Sequence, residues 1–166
     1  MIMAVQRLVL DTIAEDDYDL IAIHCTLASY RLAFILNKHL NLQLFRKKKD
    51  INFEYDTVSA NFPLFQYHDH FKYNTYSLLG NKFRTKIDTS TASATTDLFP
   101  IIEGMYATKY LIPELKNVDY FLKIEAETSE FSCKSLTTQL LNITQVITAY
   151  TVDYSQLKSK NNLILE

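Results

Sequence analysis

Two histidines at strand spacing, His68 and His70, are the residues of this chain that first suggest metal chemistry. In a β-strand the side chains of residues i and i+2 project from the same face, so both imidazoles could bind one ion. A metal site also needs a third ligand and hydrogen bonds that orient the ligands, and the sequence identifies neither. Asp69 between them favours a turn, so we predict an exposed hairpin tip and no metal site.

A second candidate for chemistry is the thiol of Cys25, which follows His24 and precedes a predicted helix. A thiol near a helix N-terminus can have a lowered pKa and act as a nucleophile. Adjacent strand residues point to opposite faces of a sheet, however, so His24 is badly placed to act as its base. The other cysteine, Cys133, has no evident partner in the sequence. We therefore predict that Cys25 fills a strand–helix junction, and we predict no catalytic residue.

Two short runs of like charge complete these candidates. The basic run, residues 46–49 (Arg-Lys-Lys-Lys), could contact phosphate in nucleic acid or in a lipid headgroup. The same charges at a strand end also prevent edge-to-edge aggregation of sheets. The formal net charge of −2 provides no basic excess, which argues against nucleic acid as a partner. The acidic run, residues 15–17, is typical of a solvated loop.

The scarcity of glycine excludes the common phosphate-binding and hydrolase motifs. Gly80 and Gly104 are the only glycines, and neither lies in a glycine-rich turn. A phosphate-binding loop needs several glycines, because its backbone must approach the phosphate closely at positive φ. The nucleophile elbow of the hydrolases needs glycines on both sides of its serine. We therefore predict no cofactor.

The length and composition predict a single domain, residues 1–166, with a full hydrophobic core. Hydrophobic residues make up 48% of the chain and charged residues 22%, a balance typical of globular proteins. No apolar run reaches the roughly 20 residues that span a bilayer, and the first residues lack the layout of a secretory signal. Two cysteines are too few for a disulfide framework. These features predict a cytoplasmic protein without a membrane segment.

The first of two predicted β–helix–β units covers roughly residues 19–49. It opens with a buried strand at residues 20–23. A helix follows over about residues 27–39, with Thr26 as its predicted N-cap, and leucines at i, i+4 and i+8 give it one apolar face. A second strand opens at residues 42–45 and runs into the basic residues.

The second unit covers roughly residues 119–153. Residues 120–126 alternate between apolar and polar side chains as a strand does. Thr128 or Ser129 is the predicted N-cap of a helix whose apolar face consists of Leu136, Leu140 and Ile143. Residues 146–153 form the closing strand.

The segment between these units is predicted to be an antiparallel meander. Two aromatic, alternating runs, residues 62–68 and 72–79, flank a polar tip and predict a hairpin. Other predictions for the remaining chain are an edge strand within residues 5–11, a strand at 82–87, an exposed loop at 88–97 and a strand at 106–112.

Together these elements predict an α+β fold. Its sheet is mostly antiparallel, and two helices cover one face. The two β–helix–β units have the order of the halves of ferredoxin-like or ACT-like sandwiches, and here they bracket the meander.

Residues 111–124 contain a motif of Ile-Pro-Glu, three variable residues and then Val-Asp-Tyr. Pro113 removes a backbone N–H and so suits a strand end. Glu114 and Asp119 are placed to cap the turn between two strands, and Tyr120 is predicted to pack on the sheet. We favour this fold-specifying role over an active site. An exposed Glu-Asp-Tyr rim could also receive a partner, so the interaction candidates are Ile112, Pro113, Glu114, Asp119 and Tyr120.

This motif resembles the signature of a bacterial family named after it, the IPExxxVDY family. Residues 17–24, 30–33, 36–40, 145–150 and 157–160 are similar to further segments of that family. The resemblance spans nearly the whole chain and is least over residues 50–105. It implies a small intracellular protein typical of Bacteroidetes-type bacteria, and it supplies neither an activity nor catalytic residues.

Three classes of function are left by these observations. The first is a non-enzymatic binding or assembly protein that acts through protein–protein contacts, with an unknown protein or a second copy of itself, as a homodimer, as its partner. The alternative is an ACT-like small-molecule sensor, although residues 127–129 lack the glycine that ACT-like sites place in this turn. The third is an enzyme without a recognisable motif, which requires side chains distant in sequence to converge in a pocket.

Overall fold

A computed structural model describes residues 17–55, 58–86 and 106–165 of the protein. The predicted edge strand within residues 5–11 and the predicted loop at 88–97 lie outside these residues. The helices and strands follow one another as β1 (Asp19–His24), α1 (Ser29–Leu40), β2 (Phe45–Arg46), β3 (Ile51–Tyr55), β4 (Val58–Phe62), β5 (Leu64–Asp69), β6 (Asn74–Gly80), β7 (Lys82–Lys86), β8 (Tyr106–Tyr110), β9 (Tyr120–Ala126), α2 (Cys133–Leu141) and β10 (Thr148–Val152).

Six strands form the main sheet, in the spatial order β10-β1-β9-β6-β5-β2. Every neighbouring pair in it is antiparallel, and so are the two separate hairpins β3–β4 and β7–β8. These observations confirm the predicted α+β class with a mostly antiparallel sheet. β9 and β10, joined by α2, lie on either side of β1, whereas β1 and β2 are separated by three strands. The ferredoxin-like or ACT-like detail stays a prediction.

Both helices cover the same face of this sheet, as predicted. Because side chains alternate along a strand, residues 21 and 23 of β1 and residues 122 and 124 of β9 point to this face. Their apolar side chains form one buried core with Leu32, Ala33 and Leu36 of α1 and Leu136 and Leu140 of α2. In the described part of the chain, no helix combines the length and the apolar character that crossing a bilayer requires.

The opposite face is covered by the two small hairpins and by the C-terminal segment. The side chains of the main sheet that point to this face form a second buried core with the covering segments. Its fully buried members include Ala22, Phe62, Leu79, Leu111, Ile112 and Phe121. The β3–β4 hairpin was not predicted from the sequence. The sequence nevertheless has the alternating pattern of a strand, because Ile51, Phe53 and Tyr55 occupy every second position of β3. In the structure these three side chains pack against this core.

A buried lysine fastens the C-terminal segment to this face. Lys123 of β9 is 3% exposed, and its ammonium group donates to the carbonyl oxygen of Leu163 at 3.0 Å. The same nitrogen lies 2.7 Å from the carboxylate of Glu125 and 4.5 Å from the centre of the Tyr18 ring. The charge is therefore paired, as burial in a protein interior requires.

Both predicted helix caps are wrong. Ala28 is the N-cap of α1, with no side-chain hydrogen bond, so Thr26 lies before the helix. Ser132 caps α2, and its hydroxyl accepts the Ser135 N–H at 3.2 Å, whereas Thr128 and Ser129 lie in the preceding loop. A serine or threonine caps a helix only where the first turn begins, and packing against the sheet decides where that is.

The predicted strand at residues 42–45 is reduced to Phe45–Arg46. The reason is a side chain of α1. The amide of Asn37 accepts the N–H of Leu44 at 2.8 Å and donates to its carbonyl oxygen at 3.0 Å. These bonds occupy both backbone groups that a strand ladder would use, and Leu44 is buried in the helix-side core.

Candidate functional site

The motif residues 112–119 lie in the connection between β8 and β9, and Tyr120 is the first residue of β9. Ile112 is fully buried. Pro113 is exposed and is the first residue of a short 3-10 helix, Pro113–Leu115. The first N–H of a helix has no partner within the helix, so the missing N–H of proline costs no hydrogen bond. β8 ends at Tyr110, three residues before this proline.

Glu114 binds the C-terminal segment. Its carboxylate accepts the backbone N–H of Ser159 at 3.3 Å and the hydroxyl of Ser159 at 2.6 Å. The expectation that Glu114 caps its own turn is therefore wrong, because its partner lies 45 residues further along the chain.

Asp119 joins three elements at the start of β9. Its Oδ2 accepts the backbone N–H of Cys25 at 2.9 Å, and its Oδ1 accepts from the ammonium group of Lys82 at 2.9 Å. Its own N–H donates to the carbonyl oxygen of Ile23 at 3.2 Å. The predicted backbone bond of Asp119 is present, but it reaches the β1–α1 junction and not the local turn.

Tyr120 packs against the helix-side core, and its hydroxyl donates to the carbonyl oxygen of Leu27. Burial, together with the smaller effects of the neighbouring Cys25 and Asp119, raises the pKa of this phenol to about 12. The side chain thus stays neutral and holds the segment between β1 and α1.

Asn81 is the residue of this region that sequence reasoning missed. It is completely buried, and its amide donates to the carbonyl oxygens of Leu115 at 2.9 Å and Val118 at 2.8 Å. Its Oδ1 accepts the N–H of Ile112 at 2.8 Å, and its backbone N–H donates to the carbonyl oxygen of Asp119 at 3.0 Å. Residues 80 and 81 carried only a turn signal, which could not reveal partners more than 30 positions away.

The five interaction candidates thus divide into two groups. Ile112 and Asp119 are held together by Asn81, with Tyr120 beside them. Pro113 is exposed, and Glu114 binds the C-terminal segment. We call the group of Asn81, Ile112, Val118 and Asp119 the motif clamp. Apart from the ion pair between Asp119 and Lys82, its polar side-chain atoms bond to backbone groups of the same chain, which is the arrangement of a fold-holding connection.

No family model, curated protein or solved structure matches this chain. The resemblance to the IPExxxVDY family stays a prediction.

A cleft of about 490 Å³ lies beside the motif clamp and is lined in part by Cys25, Lys82, Asp119 and Tyr120. The thiol of Cys25 donates to the carbonyl oxygen of residue 145 at 3.4 Å, and burial raises its pKa. A raised pKa keeps the sulfur protonated and weakly nucleophilic. His24 does not compensate, because its Nε2 lies 3.1 Å from the hydroxyl of Tyr150 on β10. Among its described lining residues, the cleft has a carboxylate and a thiol but no histidine that could act as the base of a cysteine nucleophile.

The two histidines lie at the tip of the β5–β6 hairpin. Nδ1 of His68 is 2.6 Å from the Thr75 hydroxyl, and the His70 ring stands edge-on, with 4.7 Å between the ring centres. The carboxylate of Asp69 accepts the N–H groups of Phe71 and of the next residue, which closes the turn. Over residues 17–55, 58–86 and 106–165, no three His, Cys, Asp or Glu side chains are grouped as metal ligands.

The two edges of the main sheet differ in length and charge. At one edge β2 has two residues, and its Arg46 pairs with Asp50 and lies 5.5 Å from the Phe65 ring centre. At the other edge β10 has five residues, none of them charged. Among the described strands β10 pairs with β1 alone, so its outer row of backbone groups faces away from the sheet. Tyr150 at its centre is 41% exposed, and the adjacent Ile147 is 67% exposed.

Proposed function

We propose that this protein is a non-enzymatic assembly protein whose contact surface is the outer edge of β10, which pairs with no described strand other than β1. Its partner is a second copy of the chain, which adds its own β10 in the antiparallel direction across a two-fold axis. The observation that carries the proposal is the contrast between the two edges of the main sheet.

A protected edge discourages pairing with other chains. Natural sheets protect their edges with short strands and with charges, lysine above all. The β2 edge has both devices, because it is two residues long and Arg46 is followed by three lysines. The β10 edge, Thr148–Val152, has neither, and it contains two threonines, a tyrosine and a valine, which favour strands.

A second copy fits this edge because β10 can pair with itself. In an antiparallel pair centred on Tyr150, each Tyr150 lies opposite its equivalent, and such cross-strand aromatic pairs contribute roughly 0.2–1 kcal/mol beyond the backbone bonds. The net charge of −2 gives two copies little reason to repel each other. Two-fold pairing also closes the assembly, because it uses the same edge of both copies.

The local chemistry supports a non-enzymatic role. The raised pKa of Cys25 and the engagement of Asp119 with backbone leave the cleft beside the motif clamp without an activated nucleophile. The proposal places the protein in the bacterial cytoplasm and in the IPExxxVDY family, and it requires no cofactor. The thiols of Cys25 and Cys133, both free, support this placement.

Size-exclusion chromatography with light scattering tests the proposal at tens of micromolar protein. We expect a species of twice the 19.3 kDa chain mass. Tyr150→Lys, which places a charge on the edge, should shift it to the monomer. Tyr30→Lys is the matched control, because Tyr30 is also an exposed aromatic residue but lies on α1.

A wild-type monomer under these conditions would overturn the self-assembly proposal. A dimer that withstands Tyr150→Lys and dissociates with Tyr30→Lys would overturn the β10 interface and move the contact to α1.

A further inference from the structure

A cavity of about 870 Å³ lies on the helix side of the molecule, away from the motif clamp. Its walls are the turn of the β5–β6 hairpin, the loop between β9 and α2, the first turns of α2 and the end of α1. The volume lies within the range of small-molecule sites. Its apolar lining is contributed by Leu40, Leu42, Tyr76, Phe131 and Leu136.

One polar group in this lining has no partner in the described structure. Asn74 is 3% exposed, and its amide nitrogen donates to the hydroxyl of Tyr76 at 3.3 Å. Its carbonyl oxygen, Oδ1, is the single buried side-chain oxygen or nitrogen of the described residues that makes no hydrogen bond. A buried acceptor without a donor costs roughly 1–3 kcal/mol, so a ligand that supplies a donor regains that free energy.

The backbone beside Asn74 is strained. Tyr73 has a φ of 54°, in the left-handed region that a bulky side chain rarely adopts. Its ring is more than half exposed at the cavity, and Phe71 in the same turn is 95% exposed. Strain and exposed aromatic rings occur together at ligand sites, where binding provides the compensating contacts.

The charges around the cavity favour a cation. Glu127 and Glu130 both line it from the β9–α2 loop, and Lys72 is the basic residue of its lining. All three side chains are exposed, so they act at the mouth. The balance of two carboxylates against one ammonium group attracts a positively charged donor.

We propose that this cavity binds a small primary amine that carries an apolar body. Its ammonium group donates to Oδ1 of Asn74, after a small rotation of the amide about its soft terminal torsion. Its hydrocarbon body lies against Leu136 and Phe131, where burial contributes about 25 cal/mol per Å² of apolar surface. This binding is independent of the β10 edge, and it would make the protein a small-molecule sensor as well as an assembly protein.

Calorimetric titration with phenethylamine tests the site, with 3-phenylpropanoate as the matched control. The control keeps the ring and the chain but has a carboxylate in place of the amine. We expect saturable binding of phenethylamine and none of the acid up to about 10 mM. L-phenylalanine has both an amine and a carboxylate, so it shows which class of amine the cavity accepts. If it binds as tightly as phenethylamine, the ligand class includes amino acids. If it binds more weakly, the ligand is an amine without a carboxylate. Equal binding of amine and acid, or no binding of either, would overturn the proposal.

Variants of Asn74 test the contact itself. Asn74→Asp keeps the acceptor and adds charge, so phenethylamine should bind about tenfold more tightly, and salt should reduce the gain. Asn74→Leu removes the acceptor and should weaken binding about tenfold. If Asn74→Leu does not fold, Ser135→Tyr fills the cavity from an exposed position on α2 and should abolish binding. Unchanged affinity in Asn74→Asp, or in Ser135→Tyr, would contradict the assigned site.

Discussion

The carboxylate of Asp119 accepts the backbone N–H of Cys25 at 2.9 Å, across 94 positions of sequence. This bond connects the start of β9 to the point where β1 gives way to α1. Because α1 has no side-chain cap, the position of its first turn depends on contacts of this kind. The motif therefore acts on a helix that it does not belong to.

Asp119→Asn should lower the free energy of unfolding by about 1 kcal/mol. The amide keeps an acceptor for the Cys25 N–H but loses the ion pair with Lys82, whose side chain is 39% exposed. Urea denaturation measures the change. Lys82→Ala is the control, because it removes only the partly exposed pair and should cost less than about 1 kcal/mol. Equal costs for the two variants would show that the negative charge of Asp119 adds nothing to its bond with the Cys25 N–H.

Asn81→Ala should be among the most destabilising single changes in this protein. It leaves the N–H of Ile112 and the carbonyl oxygens of Leu115 and Val118 without their partner, each at roughly 1–3 kcal/mol. The expected loss is therefore about 3 kcal/mol or more, measured by denaturant unfolding. Asn61→Ala, on the exposed side of β4, should change stability by less than about 0.5 kcal/mol. A loss at Asn81 as small as that at Asn61 would rule out the motif clamp.

Tyr120→Ala should cost about 3 kcal/mol, as expected for a large side chain removed from a core. Tyr120→Phe removes only the hydroxyl bond to the carbonyl oxygen of Leu27 and should cost about 1 kcal/mol. Chemical denaturation of the two variants measures both losses of stability. Parental midpoints for both variants would instead make the motif a binding surface.

Alkaline pH provides a second measurement on Tyr120. Its pKa is raised from 10.0 to about 12 in the folded protein, so the neutral phenol stabilises the fold fully below pH 10. Above pH 10 the unfolded chain releases this proton while the folded chain keeps it, and stability falls until about pH 12. Wild type should therefore lose more stability than Tyr120→Phe across this window. Parallel pH profiles of the two proteins would contradict the raised pKa.

Lys123→Met should loosen the C-terminal segment without unfolding the sheet. Methionine keeps the apolar stem but loses the donor to the carbonyl oxygen of Leu163. Limited trypsin digestion should then cleave after Lys158 or Lys160 faster than in wild type, while the melting of the sheet by circular dichroism changes little. Cleavage at the wild-type rate would show that packing alone holds the segment.

Elements with a local sequence pattern could be predicted without knowledge of the rest of the chain. β9 has the predicted bounds, 120–126, and the β5–β6 hairpin and the helix-side face of α2 follow from alternation and from leucine spacing. These signals are complete within a few residues, because a strand repeats every two residues and a helix every 3.6. The α+β class follows from their order along the chain.

The tertiary structure alone decided which polar groups meet. Asn81 and Ile112 are 31 positions apart, and Glu114 and Ser159 are 45 apart, so neither pair has a local pattern. The caps of both helices, the reduction of β2 and the unpartnered oxygen of Asn74 were likewise decided by packing. A buried polar group must find a hydrogen-bond partner, because leaving it unpaired costs free energy. Which groups are buried depends on the folding of the whole chain, so no single segment of the sequence can show it.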